Sequence, residues 1–218
     1  ISINLEAPTQ ERLTALAPKK DFTNDLLQRV QWAHEIKKKT GSKTSIVTQF
    51  VVGAVGDTDL ELLSLTEKLH RQMDLARAYF SAFHPVIQTP LENTAAVAPL
   101  REHRLYQASF LVRDYGWSVE ELSFAATGNL PLDIDPKKAW ADVNLLHAPV
   151  DLMRANRETL MRVPGIGLKG ADAIIRARKS TRLVDLGQLR ALGVAAPERL
   201  APYVLLANGK PPHQLSLF

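Results

Sequence analysis

Hydrophobic and polar residues alternate over the first six positions, which places Ile1, Ile3 and Leu5 on one face. A period of two predicts a strand. Two later stretches are rich in β-branched or aromatic residues and predict further strands, and helical periods separate them. The predicted strands are residues 1–6, 45–55 and 78–84, and the predicted helices between them are 22–39 and 58–76. Strands that alternate with helices, without hairpin turns, predict βαβ units and therefore an α/β fold with a parallel sheet.

The second half of the chain has a helical pattern interrupted by prolines. A helix is predicted over 101–115 and ends at Gly116, and one short helix is predicted within the proline-containing stretch 127–150. The resulting organisation is an α/β segment over 1–98, a helical connector over 99–150, an all-α domain over 151–206 and a flexible tail over 207–218.

Composition excludes several classes of site. The 218 residues include no cysteine, which excludes a disulfide scaffold, a thiolate zinc site and a cysteine-ligated iron–sulfur cluster within this chain. The six histidines show no metal-ligand spacing, so no metal site is predicted. Neither a membrane span nor a secretory signal is recognisable, so we expect a cytoplasmic protein. Because Ile1 opens an alternating run, we interpret the chain as a fragment that starts partway through a larger fold.

Positive charge is concentrated near the end of the chain. Residues 151–218 contain 11 Lys and Arg against 5 Asp and Glu, whereas residues 1–150 contain 16 against 18. Such asymmetry is typical of a nucleic-acid partner for one end, although a solvated basic face without a partner is an equally good interpretation.

A glycine-rich turn between two short helical patterns carries the strongest local signal. The sequence MRVPGIGLKGA spans residues 161–171. One apolar seam between the two helices can be formed by Leu160, Val163, Ile166, Ala171, Ile174 and Ile175. Glycines beside Ile166 permit a tight turn whose backbone N–H groups face outward at a helix N-terminus, a favourable place for a phosphate. The predicted DNA-binding residues are Gly165, Ile166, Gly167, Lys169, Gly170 and Arg176. An αα-hairpin without a ligand is the alternative.

This turn resembles the helix-hairpin-helix motif, and a degenerate second copy follows at 189–194 and 197–205, with a plain packing hairpin as its alternative. Helix-hairpin-helix domains hold DNA by its backbone and do not read the bases. In the DNA glycosylases of this class a lysine stands where Lys169 stands, with an aspartate further on, for which Asp185 is a candidate. That resemblance leaves a glycosylase open as a minor alternative.

The last five residues resemble the peptide by which bacterial polymerases and repair proteins bind the sliding clamp. Leu217 and Phe218 would insert into an apolar pocket, and Gln214 would add a polar contact. The predicted clamp-binding residues are Gln214, Leu215, Leu217 and Phe218. A tail that folds back on its own domain is the alternative.

Four stretches resemble a bacterial family of radical SAM proteins assigned to DNA modification or repair. They are residues 2–8 (SINLEAP), 49–59 (QFVVGAVGDTD), 79–85 (YFSAFHP) and 99–107 (PLREHRLYQ). The resemblance implies the C-terminal part of a partial (β/α) barrel that holds S-adenosylmethionine and a [4Fe–4S] cluster in the full-length parent. It also implies that cluster cysteines precede Ile1. By resemblance the cofactor-binding residues are Asn4, Glu6, Val52 and Gly53.

These expectations combine into a fragment of a radical SAM enzyme that acts on DNA, with a backbone-binding hairpin domain and a clamp-binding tail. The alternative is a non-catalytic adaptor that binds DNA and the clamp, with the α/β segment as scaffold. Arg101, His103 and Arg104 are further candidates for phosphate contacts, with a solvated helix face as the alternative.

Overall fold

A computed structural model describes residues 1–207 and Gly209. The chain divides into two compact units, and the first spans Ile1–Asp133. The second, unit 2, begins at Ile134. The predicted connector at 99–150 is therefore split, because its first helix belongs to unit 1 and its short helix to unit 2.

Unit 1 alternates helices with two strands. Its elements in chain order are α1 (Gln10–Leu16), a π-helical turn (Phe22–Leu27), α2 (Gln28–Thr40), β1 (Ile46–Val52), α3 (Asp59–Met73), β2 (Leu75–Ala82), α4 (Pro99–Tyr115) and a 3₁₀ turn (Val119–Glu121). Helix α1 has no counterpart among the predicted elements.

The sheet of unit 1 is parallel, as the α/β prediction requires. Strand β1 pairs in parallel with β2, with Phe50 opposite Phe80. The first residues of the chain also run parallel to β1 through isolated bridges at Ser2 and Glu6, which oppose Val47 and Phe50. The coarse prediction of a mixed α/β fold is thus confirmed, whereas the barrel stays a prediction.

Local sequence signals explain where these elements begin and end. Thr58 and Glu61 form a capping box at the start of α3, each side chain accepting from the other residue's backbone N–H. Gly41 ends α2 in the left-handed region at φ 65°. Asp74 ends α3 in the same region, so β2 begins at Leu75 and not at 78 as predicted.

Burial alternates along β1, and along β2 from Ala78 onward, so the two faces of the sheet differ. One face carries Phe50, Val52, Phe80 and Ala82, all of them buried. The other face of β2 carries exposed side chains, including Tyr79. Apolar packing in unit 1 is therefore concentrated on one side of the sheet.

Unit 2 is mostly helical, with two short strands that join its ends. Its elements are α5 (Pro136–Asn144), β3 (Val150–Asp151), α6 (Arg157–Arg162), α7 (Leu168–Ala177), α8 (Leu186–Ala191), α9 (Pro197–Leu200), a 3₁₀ turn (Ala201–Tyr203) and β4 (Val204–Leu205). Strand β3 pairs in parallel with β4. The all-α prediction for 151–206 did not include these strands, which are only two residues long each.

Candidate nucleic-acid interface

The predicted turn in unit 2 connects two packed helices. Asn156 starts α6 by accepting a hydrogen bond from the Thr159 N–H at 2.8 Å. Helix α6 ends before Val163, and α7 begins after Gly167. Gly165 adopts φ 87°, a conformation that favours glycine, and thereby allows the chain to reverse within a few residues.

The apolar seam predicted between these helices is present. Its fully buried members come from both helices and from the turn: Leu160, Val163, Ile166, Ala171 and Ile174. Ile175, which the sequence also placed in the seam, is only half-buried. Removing this seam from water stabilises the hairpin, because each buried aliphatic side chain contributes roughly 1.5–3 kcal/mol.

The start of α7 leaves its backbone donors available. Gly167 is the N-cap and has no side chain with which to cap the helix. The Ala171 N–H donates to the Gly167 carbonyl at 2.9 Å, whereas no acceptor within the described residues meets the N–H groups of Leu168, Lys169 and Gly170. First-turn N–H groups carry the positive end of the helix dipole and favour an anion.

Arginine and lysine side chains of unit 2 fall into two groups. Arg157 pairs with Asp172 at 2.6 Å, and Arg178 donates to the carbonyl oxygens of Leu152 and Ala155 at 3.1 and 2.6 Å. Lys169 and Arg176 are exposed, and neither forms a salt bridge within the described part of the chain. Because seven residues separate them, they lie on the same face of α7.

A cation that the sequence analysis missed lies beneath the turn. The Lys137 ammonium, from α5, donates to the carbonyl oxygen of Ile166 at 2.6 Å. Burial lowers the pKa of Lys137 from its usual 10.5 to about 8, which nearby Asp135 opposes and Arg162 reinforces. The two partners are 29 residues apart and no motif connects them, so a sequence pattern could not reveal the contact.

The second hairpin packs against the first. Gly193 takes φ 90° between α8 and α9, as a degenerate turn requires. A Cβ at Gly170 would lie 3.9 Å from Val194, and one at Gly165 would lie 3.9 Å from Leu200. Val194 and Leu200 of the second copy therefore lie close to the turn of the first, and whether the second copy binds DNA or only packs stays a prediction.

Asp185, the candidate partner of Lys169 in a glycosylase, has a structural role. Its side chain accepts from the Gln188 N–H at 2.8 Å and forms a capping box at the start of α8. Within the described residues no hydrogen bond or salt bridge joins Lys169 to Asp185. Asp185 therefore caps α8 in this structure, and the glycosylase alternative stays a prediction.

The residues expected at a cofactor have partners within unit 1. Asn4 accepts from the Ser2 hydroxyl at 2.8 Å, and Glu6, at φ 67°, accepts from Lys20 at 3.0 Å. The Val52 carbonyl accepts from the Phe83 N–H at 3.0 Å. The Val52 carbonyl and the Gly53 N–H, at two of the residues expected to bind the cofactor, are thus already hydrogen-bonded within unit 1.

Close packing within unit 1 accounts for a glycine at position 53. Its N–H donates to both oxygens of Asp57 at 2.9 Å, and its φ is 82°. A Cβ here would lie 2.4 Å from Val97 and 2.7 Å from the Arg101 guanidinium. The space beside this Cα is filled by the side chains of Val97 and Arg101, and the cofactor role of the four residues stays a prediction.

Arg101 forms salt bridges with two buried aspartates of unit 1, Asp57 and Asp59. Its Nε donates to Asp59 at 2.7 Å and its Nη2 donates to the Asp57 backbone carbonyl at 2.7 Å. Burial raises the pKa of Asp59, although the Leu130 N–H and Arg101 stabilise its carboxylate. Arg101 is therefore not free for a phosphate, and Arg104 donates to the Leu132 carbonyl at 2.8 and 3.1 Å.

Several expectations concern absent features or undescribed residues. The clamp-binding peptide Gln214–Phe218 lies outside the described residues. Over residues 1–207 and Gly209, no group of three His, Asp or Glu side chains is placed to hold a metal ion. In the same part of the chain no helix combines the length and apolarity that crossing a membrane requires.

Comparison of the chain with protein-family models, with curated proteins and with solved structures finds no match.

Proposed function

We propose that unit 2 binds the sugar–phosphate backbone of duplex DNA without reading its sequence. The observation that carries this proposal is the uncapped start of α7, where backbone donors without an acceptor in the described chain lie next to the exposed Lys169. N–H groups at a helix start bind a phosphate oxygen, and flanking cations add attraction without base specificity.

Salt dependence tests this proposal directly. A turn that neutralises two or three phosphates should lose affinity by about ten- to fortyfold between roughly 50 and 200 mM salt. Fluorescence anisotropy of labelled duplexes of unrelated sequence measures both salt dependence and specificity. Unchanged affinity over that range would contradict backbone binding, and strong preference for one duplex would contradict sequence-independent binding.

Substitution of Gly167 separates binding from folding. Its φ of −96° is accessible to any residue, so Gly167→Asp and Gly167→Asn can both cap α7. We expect both variants to be at least as stable as the wild type in urea. The aspartate should abolish measurable binding, because its carboxylate occupies the donors and repels phosphate, while the neutral asparagine should weaken binding less. Equal affinity of the aspartate variant and the wild type would exclude the start of α7 as the phosphate site.

A second proposal concerns unit 1. We infer that it belongs to a partial barrel of the radical SAM type, and the parallel order of residues 1–6, β1 and β2 supports this interpretation. The chain has no cysteine, so its own residues do not fit a thiolate-held cluster. A gene sequence that encodes Cys-x3-Cys-x2-Cys upstream of Ile1 would support the proposal. A start codon directly upstream, without such cysteines, would favour the non-catalytic adaptor.

A further inference from the structure

We propose that Lys137 is a positioning residue of the DNA site, which it serves by holding the Ile166–Gly167 peptide in one orientation. This inference rests on the proposed function of unit 2. Lys137 itself lies on α5, and its ammonium meets the turn through the Ile166 carbonyl at 2.6 Å.

Peptide geometry connects this contact to the donors of the turn. The carbonyl of Ile166 and the N–H of Gly167 belong to one planar peptide group, and no peptide in the described chain is cis. In a trans peptide these two groups point in opposite directions. An ammonium that binds the carbonyl from one side therefore directs the Gly167 N–H, which meets no acceptor among the described residues, to the opposite side of the peptide.

The glycine that follows this peptide makes such a constraint useful. Rotation of the peptide changes φ of Gly167, and glycine restricts its φ less than other residues do. A hydrogen bond to a cation is about twice as strong as one between neutral groups, and it also polarises the N–H of the same peptide. Lys137 therefore both fixes this donor and strengthens it.

Lys137 loses its proton at a lower pH than an ordinary lysine does. Burial lowers its pKa to about 8, the Asp135 carboxylate opposes that shift, and the Arg162 guanidinium reinforces it. Above that pH a neutral amine meets the carbonyl, and the positive charge beneath the turn is lost. Binding of an anion at the turn favours the protonated form, so DNA affinity should fall as pH rises through about 8.

Stability of unit 2 should respond in the opposite direction. Because the pKa of Lys137 is lower in the folded unit than in the unfolded chain, the unfolded chain binds more protons between about pH 8 and 10.5. The contribution of Lys137 to the free energy of unfolding therefore increases with pH in this window. Deprotonation of Lys137 does not destabilise unit 2 in this window, so it would not weaken DNA binding at about pH 9 through unfolding.

The test measures DNA affinity of the 218-residue chain at pH 7, 8 and 9 and constant ionic strength. We expect the wild type to bind about fivefold more weakly at pH 9 than at pH 7. Lys137→Met should bind weakly at every pH, and Lys137→Arg should bind well and without this pH dependence. Lys138→Met is the matched control, because the exposed Lys138 pairs with Asp142 at 2.6 Å and should leave affinity and pH profile unchanged. Equal affinities and pH profiles of Lys137→Met and the wild type would overturn the inference.

A second measurement needs no DNA. The amide resonance of Gly167 should shift with an apparent pKa of about 8 in the wild type, since Lys137 binds its peptide, and not in Lys137→Arg. A resonance that does not titrate over roughly pH 7–9 would reject the positioning role, even if DNA binds. A titrating resonance in a protein that binds no DNA would instead reject the proposed function. If Lys137→Met does not fold, the wild type and Lys137→Arg alone decide.

Discussion

Tyr106 of α4 closes the outer edge of β2 by bonding both backbone groups of Phe80. Its hydroxyl accepts from the Phe80 N–H at 3.1 Å and donates to the Phe80 carbonyl at 3.2 Å. Glu102, one turn earlier, accepts from the Ala82 N–H at 2.8 Å. An edge that would otherwise invite another strand is thus satisfied by helix side chains.

Tyr106→Phe should therefore destabilise unit 1 by about 1–3 kcal/mol, because two backbone groups of the partly buried edge lose their partner. Urea unfolding followed by circular dichroism measures the change. Tyr79→Phe is the matched control, since Tyr79 is 41% exposed and loss of its hydroxyl should change the free energy of unfolding little. Equal stability of both variants would show that water replaces the Tyr106 hydroxyl without cost.

Arg101→Met should cost unit 1 about 3–5 kcal/mol at pH 7, because it leaves two buried carboxylates without their cation. The side chains of Asp57 and Asp59 are fully buried in their contacts with Arg101. Burial already raises the pKa of Asp59, and loss of Arg101 should raise it further. Protonation would then relieve the buried charge, so the destabilisation should be smaller at about pH 5 than at pH 7.

Urea unfolding at both pH values checks this expectation. Arg29→Met removes an exposed ion pair with Asp25 and should cost less than about 1 kcal/mol. Two results would contradict a structural role of Arg101 beside Asp57 and Asp59. One is a loss in the free energy of unfolding as small as that of Arg29→Met, and the other is a loss that increases as pH falls.

Local signals were sufficient to predict the main elements of unit 1, but not what joins them. Thr58 marks the start of α3 through its capping box, and Gly41 marks the end of α2. In contrast, the edge contact of Tyr106 spans 26 residues and depends on how α4 lies against the sheet. Contacts of this kind depend on tertiary packing, which cannot be predicted from hydrophobic periodicity.

The candidate site likewise combines local features that the sequence predicts with long-range contacts that it does not. Gly165 and the apolar seam are local features, and the sequence pattern identifies them. Lys137 cannot be identified in that way, because its helix precedes the hairpin by a long connection and its partner is a backbone carbonyl. Arg101 has the sequence context of a surface cation within a basic stretch, whereas its partners Asp57 and Asp59 are more than 40 residues away.

Lys169→Gln should reduce the salt dependence of DNA binding as well as the affinity. Each phosphate contact that is lost lowers the slope of log affinity against log salt by about 0.9. Anisotropy titrations at several salt concentrations measure this slope. Lys43→Gln removes the same charge from an exposed position in unit 1 and should leave the slope unchanged. Parallel slopes for Lys169→Gln and the wild type would remove Lys169 from the phosphate site.

Deletion of residues 214–218 should abolish binding to a bacterial sliding clamp without lowering the melting temperature. The apolar anchors Leu217 and Phe218 would otherwise enter a pocket on the clamp. Surface plasmon resonance against immobilised clamp and a thermal melt of the same sample measure both quantities. A lower melting temperature, with clamp binding absent from the wild type as well, would indicate a tail that packs on its own domain.

Gly53→Ala should destabilise unit 1 well beyond the cost of backbone strain. Its φ of 82° costs an L-residue roughly 1–2 kcal/mol, and the new methyl group would lie 2.4 Å from Val97. Gly41→Ala isolates the first contribution, because Gly41 has φ 65° and an added methyl group there would meet no described atom within 4 Å. Urea unfolding of both variants gives the cost of the clash as their difference. Equal losses would show that Val97 and Arg101 move aside easily, which would reopen the space above Gly53 to a ligand.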